Sequence, residues 1–218
     1  NGALGPQDTI GPITLGSEDF SVGEYTVEAR TESNDEYTDT LTANNKATKE
    51  VTIVESYLQG TFSIGPLDTC DFASFGEALD TLRQSGLNGP VTFRADSSTY
   101  TEQIILEDYP GNDQYPVVFE GAPSDSSEVV LTSTGTTLKF EATASGKTVQ
   151  NIVFRNMTIS SNGGIPVQFS WGDIKNISLE NNILSSAQSD QNIIQFRYDD
   201  ATDSIRIQNN LISGGNQG

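Results

Sequence analysis

The chain has 218 residues, 30 acidic against 11 basic side chains for a formal net charge of −19, one cysteine and no histidine. A surface this acidic opposes nucleic-acid binding, which needs a basic face. The lack of histidine excludes Ser-His-Asp and Cys-His catalysis and histidine-held zinc, and the sequence has no GxGxxG or Walker loop, no run of 18 apolar residues and no secretory signal.

Residues 1–56 form a first region. Residues 20–31 alternate apolar and polar as a strand does, a polar loop fills 32–39, and Asn44-Asn45 precede a second alternating run at 47–54. This ending resembles the last strands of an immunoglobulin-like sandwich of the surface-adhesion type. A whole sandwich takes about 7 strands and about 100 residues. Three or four strands fit here, so the expectation is the C-terminal part of such a domain, in an excerpt of a longer protein. In the loop, Asn34, Asp35, Glu36 and Asp39 offer hard oxygen ligands for calcium between extracellular modules. A solvated acidic loop is the plainer reading.

Residues 57–218 read as a solenoid. Cys70 stands alone, either a small core residue or half of a disulfide to a cysteine elsewhere. Residues 74–86 read as the one helix. Ser74 and Glu77 make a capping box, Phe75, Ala78, Leu79 and Leu82 share a face, and Gly86 sits where a C-cap glycine belongs. A stacked array exposes an apolar cross-section at its end, so this helix is expected to cap it. Val91 and Phe93, then Ile104 and Leu106, are the inward positions of an opening coil.

The run from 71 to 106 carries Phe72, Phe75, Ala78, Leu82, Gly86, Gly89, Pro90, Val91, Phe93, Tyr100, Thr101 and Glu102. It resembles the opening of right-handed parallel β-helix domains in secreted and surface multidomain proteins of Bacteroidetes-type bacteria. Ser98 replaces a usual glycine. The resemblance implies a right-handed helix with an aromatic-plus-helix cap. The implied fold is similar to that of pectin lyases, so an enzymatic reading has to be weighed as well.

The following coils can be read from repetition. Residues 108–113 form a turn around Pro110-Gly111. Residues 117–121, 129–133 and 138–140 supply three short strands. Then 151–161, 176–186 and 204–214 are near copies, at offsets of 25 and 28 residues. Ile152 and Phe154 match Ile177 and Leu179, then Ile205 and Ile207. A third motif recurs at 137–140, 166–169 and 193–196. Period-two alternation inside a longer repeat describes three strands per coil of a parallel β-helix. Leucine-rich repeats have a similar period, but their L-x-x-L-x-L-x-x-N pattern is absent.

Asn156, Asn181 and Asn209 follow the first strand of successive copies. Asparagine tolerates the left-handed backbone of a sharp bend, and stacked amides can bond from coil to coil, so a structural ladder is expected; lining a ligand groove is the alternative. Asp199, Asp200 and Asp203, close to Arg197 and Arg206 and read as a loop between coils, are the candidate calcium ligands, against a solvated acidic turn. Trp171, in a Gly-Asp turn, either covers a coil edge or stacks on sugar rings.

The expected whole is all-β: a partial sandwich over 1–56 and the N-terminal part of a right-handed parallel β-helix over 57–218. The chemistry is sparse, with no residue assigned a catalytic role and calcium the one candidate cofactor. The favoured function is a structural or adhesive segment, a stiff rod or filament module, of a large extracellular, cell-surface bacterial protein. Its partners would be other domains of the same chain, a surface polysaccharide or another surface protein, with no nucleic acid and no membrane span. The alternative is a polysaccharide lyase or glycosidase of the β-helix class, which needs several acids and bases on one face.

Overall fold

The computed structural model describes residues 23–30, 46–53, 57–142, 147–197 and 201–215. The chain divides into two compact units, Asn1–Glu55 and Ser56–Gly218. In the first, β1 (Gly23–Arg30) pairs antiparallel with β2 (Lys46–Ile53), from Gly23 opposite Ile53 to Arg30 opposite Lys46. Glu28 bridges Arg30 and Lys46. The loop acids Asn34, Asp35, Glu36 and Asp39, and the pair Asn44-Asn45, lie outside the described residues.

The second unit is a parallel β-solenoid of about five turns. It opens with β3 (Leu58–Ile64), followed by the only helix among the described residues, α1 (Phe75–Ser85). The first full coil is β4 (Leu87–Ala95), β5 (Ser98–Thr101) and β6 (Ile104–Leu106). The second is β7 (Val117–Glu120), β8 (Val129–Ser133) and β9 (Leu138–Phe140). The third is β10 (Thr148–Arg155), β11 (Thr158–Ser161) and β12 (Val167–Phe169). The fourth is β13 (Asp173–Glu180), β14 (Ile183–Ser186) and β15 (Ile194–Phe196). Then come β16 (Ala201–Gln208) and β17 (Leu211–Gly214). Equivalent strands stack into three parallel sheets, ordered β16-β13-β10-β7-β4-β3, β17-β14-β11-β8-β5 and β15-β12-β9-β6.

Two features differ from the sequence reading. The solenoid starts one strand earlier than Val91, because β3 pairs parallel with β4 through a register shift between Leu58 and Gly60. That shift hides β3 from any repeat pattern. The first strands of the later coils also contain an unanticipated corner. Asn151, Asn176 and Ser204 have φ of 58°, 50° and 58° inside β10, β13 and β16. There the strand bends, and pairing resumes at Ile152, Ile177 and Ile205.

Period two sets the core. Val91, Phe93, Ile104, Leu106, Val117, Phe119, Leu131, Phe140, Ile152, Phe154, Ile177 and Leu179 are all buried. Because the strands are in register, like side chains fall on like. Phe93, Phe119 and Phe154 stack at centroid separations of 5.1 and 4.6 Å. Phe140, Phe169 and Phe196 do so at 4.8 and 4.7 Å. These spacings are those of neighbouring strands, roughly 4.8 Å. At the last described coil, Ile207 and Phe196 are 42% and 50% exposed, since no further described strand covers them.

The helix forms for local reasons. Ser74 Oγ accepts from Glu77 N at 3.1 Å, and Glu77 Oε2 accepts from Ala73 N at 2.7 Å. Gly86, at φ 70°, ends it by donating to Leu82 O at 2.9 Å. Phe75, Ala78, Leu79 and Leu82 enter the common core.

Candidate functional site

The densest set of interacting charges lies on the long sheet. Ser63, Arg94, Glu120, Arg155, Glu180 and Gln208 occupy one register row across six strands. Each follows an inward side chain, so strand alternation turns it to the outer face. Glu120 Oε1 takes Arg94 Nε at 3.4 Å, and its Oε2 takes Arg155 Nε at 2.8 Å and Arg155 Nη2. Glu180 faces Arg206 at 4.0 Å. Two arginines cover Glu120, which is buried, while Arg94 and Arg206 stay exposed. From Arg94 to Glu180 the signs alternate along the row, so neighbouring rungs there attract one another.

Glu120 and Glu180 are two rungs apart, about 9–10 Å by strand spacing. That lies near the upper limit for an acid and a base flanking a glycosidic bond. No role for Arg94, Glu120, Arg155 or Glu180 is assigned from the sequence alone. The signal was nonetheless present: Phe93-Arg94, Phe119-Glu120, Phe154-Arg155 and Leu179-Glu180 alternate in sign, one pair to each coil.

The candidate calcium ligands divide. Asp199 and Asp200 lie outside the described residues. Asp203 is in strand β16 rather than in a loop, opposite Lys175 in register, with its Oδ1 accepting from Ser204 Oγ at 2.9 Å. Lys175 itself pairs with Asp173, its Nζ donating to Asp173 Oδ2 at 3.2 Å. Among the described residues no group of three or more Asp, Glu, Cys or His is arranged to hold a metal. Of the arginines near it in sequence, Arg206 donates to Gln208 Oε1 at 2.7 Å, and Arg197 donates its main-chain N–H to Phe169 O.

Asn156, Asn181 and Asn209 have left-handed φ of 58°, 54° and 55° at the first-to-second strand corner. Main-chain bonds run between coils there: Asn156 N to Glu180 O at 3.2 Å and Asn181 N to Gln208 O at 3.0 Å. Side-chain rungs sit one residue on. Asn182 Nδ2 donates to Phe154 O at 2.9 Å and its Oδ1 accepts from Met157 N at 3.2 Å. Asn210 repeats both contacts, to Leu179 O and from Asn182 N, each at 2.8 Å. A third rung links Asn176 Nδ2 to Asn151 Oδ1. The doubled Asn at 181–182 and 209–210 was the available signal.

A shallow cleft of about 350 Å³ is lined by Thr101, Glu102, Gln103, Ser133, Thr134 and Gly135. Its carboxylate is already engaged: Glu102 accepts from Phe75 N at 3.2 Å and Gly76 N at 2.8 Å, at the positive end of α1. Trp171 is half exposed, and its carbonyl accepts from Ala142 N at 2.8 Å. Cys70 is half-buried, with Sγ 3.4 Å from Asp96 Oδ2; desolvation and that carboxylate push its thiol above the ordinary range. Among the described residues no helix is long and apolar enough to cross a membrane. No family model, curated protein or solved structure matches the chain.

Proposed function

We propose that the chain is a structural segment of a large extracellular, surface-attached bacterial protein, a stiff module that holds other parts of its chain away from the cell. The observation that carries this reading is the continuity of the stack. Apolar columns, aromatic stacks, Asn rungs and an alternating charge row all run along the coil axis and tie each coil to the next. Such a stack resists bending and can be extended by further coils. In this reading residues 1–56 are the closing part of an immunoglobulin-like module. The helix α1 caps the first full coil: Arg83 Nη2 donates to Ile105 O of β6 at 2.9 Å, and Phe75 meets Tyr100 of β5 edge-on at 5.0 Å. Both strands stand at a sheet end, where unpaired backbone needs a partner. Acidic surface charge suits solubility outside the cell.

One observation favours a second reading, a polysaccharide-cleaving enzyme of the β-helix class. Arg94, Glu120, Arg155, Glu180 and Arg206 bring acids and bases onto a single face. The pairing of Glu120 with two arginines favours the structural role, because a base or nucleophile must be free to take a proton or a bond.

The deciding experiment incubates the protein with a panel of acidic and neutral polysaccharides, with calcium and with chelator, and follows unsaturated and reducing ends. The structural reading expects no turnover. Turnover lost in Glu180→Gln would replace it with the enzymatic one.

A further inference from the structure

The first-to-second strand corner is only two residues long in three successive coils: Asn156-Met157, Asn181-Asn182 and Asn209-Asn210. In the coil before them the same corner is the segment 121–128, between β7 and β8. This segment lies along the solenoid and crosses coil boundaries. Ser126, half-buried between exposed neighbours, donates its hydroxyl to Asn181 O at 2.7 Å, two coils further on. Its own carbonyl accepts from Thr158 Oγ1 at 2.9 Å, in the coil between. At the other end Glu128 Oε2 accepts from Ser97 Oγ at 3.0 Å, in the preceding coil. The middle is shaped by Asp125, whose Oδ1 accepts from Ser127 N at 2.8 Å and Ser127 Oγ at 2.6 Å. The segment leaves the sheet at Gly121, where any Cβ would stand 2.2 Å from Asn156 O. Only glycine allows so close an exit.

We infer that residues 121–128 are a strap that fastens four successive coils, so that they open together rather than one at a time. In a solenoid each coil contacts only its neighbours, so an array frays coil by coil from its ends. A bond from the second full coil to the fourth passes over the third, and the fourth cannot open without breaking it. The repeated geometry of the two-residue corners provides no such link. The strap couples opening along the axis whether or not the chain serves as a rod.

Native-state hydrogen exchange on the intact chain tests this, with Ser126→Ala against Ser127→Ala. Ser126→Ala removes the bond to Asn181 and is expected to speed exchange about five-fold, the effect of one ordinary hydrogen bond, at the fourth-coil amides of Asn181 and Ile183. Those amides bond to Gln208 O and Met157 O, not to the strap, so a purely local contact would leave them unchanged. Ser127→Ala loses a contact inside the strap and should leave them as they are. Faster exchange confined to 121–128, no change in either variant, or equal effects of both variants would overturn the strap.

Discussion

The third to fifth coils and the two before them carry the same inward apolar face but turn their corners by different means. In the later coils the corner is local. Asn156, Asn181 and Asn209 take left-handed φ, and Asn182 and Asn210 complete the turn with two bonds each to the neighbouring coil. In the earlier coils distant groups do this work. Tyr100 OH donates to Ile64 O at 3.1 Å and to Asp96 O at 2.9 Å. Glu102 holds the start of α1, and Arg83 reaches Ile105 O. The strap over 121–128 belongs to this group. A repeated corner can be built from one short sequence copied many times. The first coils make side-chain contacts with α1 as well as with the next coil, and need side chains chosen singly. In both regions, no buried side-chain nitrogen or oxygen among the described residues lacks a hydrogen-bond partner.

The largest expected effect tests what the two regions share. Phe154 is fully buried and stacks on Phe119 at 4.6 Å, joining the irregular coils to the regular ones. Phe154→Ala should lower stability by about 3–5 kcal/mol through the cavity it leaves, as read from urea unfolding. An unchanged midpoint would remove Phe154 from the core.

Next comes the corner itself. Asn182→Ala strands a buried Met157 N–H and Phe154 carbonyl and should cost about 2–4 kcal/mol. Its neighbour Asn181 has a left-handed φ of 54°, so Asn181→Ala should cost only about 1–2 kcal/mol of backbone strain, and Asn181→Gly less. Unfolding curves of the three variants side by side give the order. If Asn181→Ala proved the more damaging, the rung would have to be moved back to position 181.

The smallest effect marks the irregular region alone. Tyr100 is pushed from 10 up to about 12, first by burial and then by Asp96. The unfolded chain therefore releases this proton at lower pH than the folded one. The resulting stability is complete below pH 10 and is lost as pH rises from 10 to 12. In Tyr100→Phe that part of the alkaline loss should disappear, while stability at neutral pH falls because Ile64 O and Asp96 O lose their donor. Burial moves Tyr109 the same way, so some alkaline loss persists in the variant. A pH profile identical to wild type would show that Tyr100 does not titrate with unfolding.

Legibility in the sequence followed how local each signal is, not which coil it lies in. Inward positions such as Phe93, Phe119 and Phe154 could be read because a strand hides every second residue, and the pattern returns once per coil. The capping residues Ser74, Glu77 and Gly86 could be read because helix ends are satisfied within a few residues. The strand β3 could not, since its partner lies beyond a helix and its pairing carries a register shift. Nor could Asp203 be placed, because an acidic residue near a strand end reads equally as loop or strand.

What this chain's sequence determined by itself is the coil: its period, its inward face and the residue types at its regular corners. Each is written in a short local pattern that returns once per coil and needs no distant partner to be read. The tertiary structure alone decided which charges meet and which side chain completes each corner. It set Glu120 between Arg94 and Arg155, gave the side-chain rungs to Asn182 and Asn210, and carried Ser126 to Asn181. The reason is geometric: stacking brings residues a whole coil or more apart in the chain to within one strand spacing, roughly 4.8 Å, and no local pattern records which of them will touch.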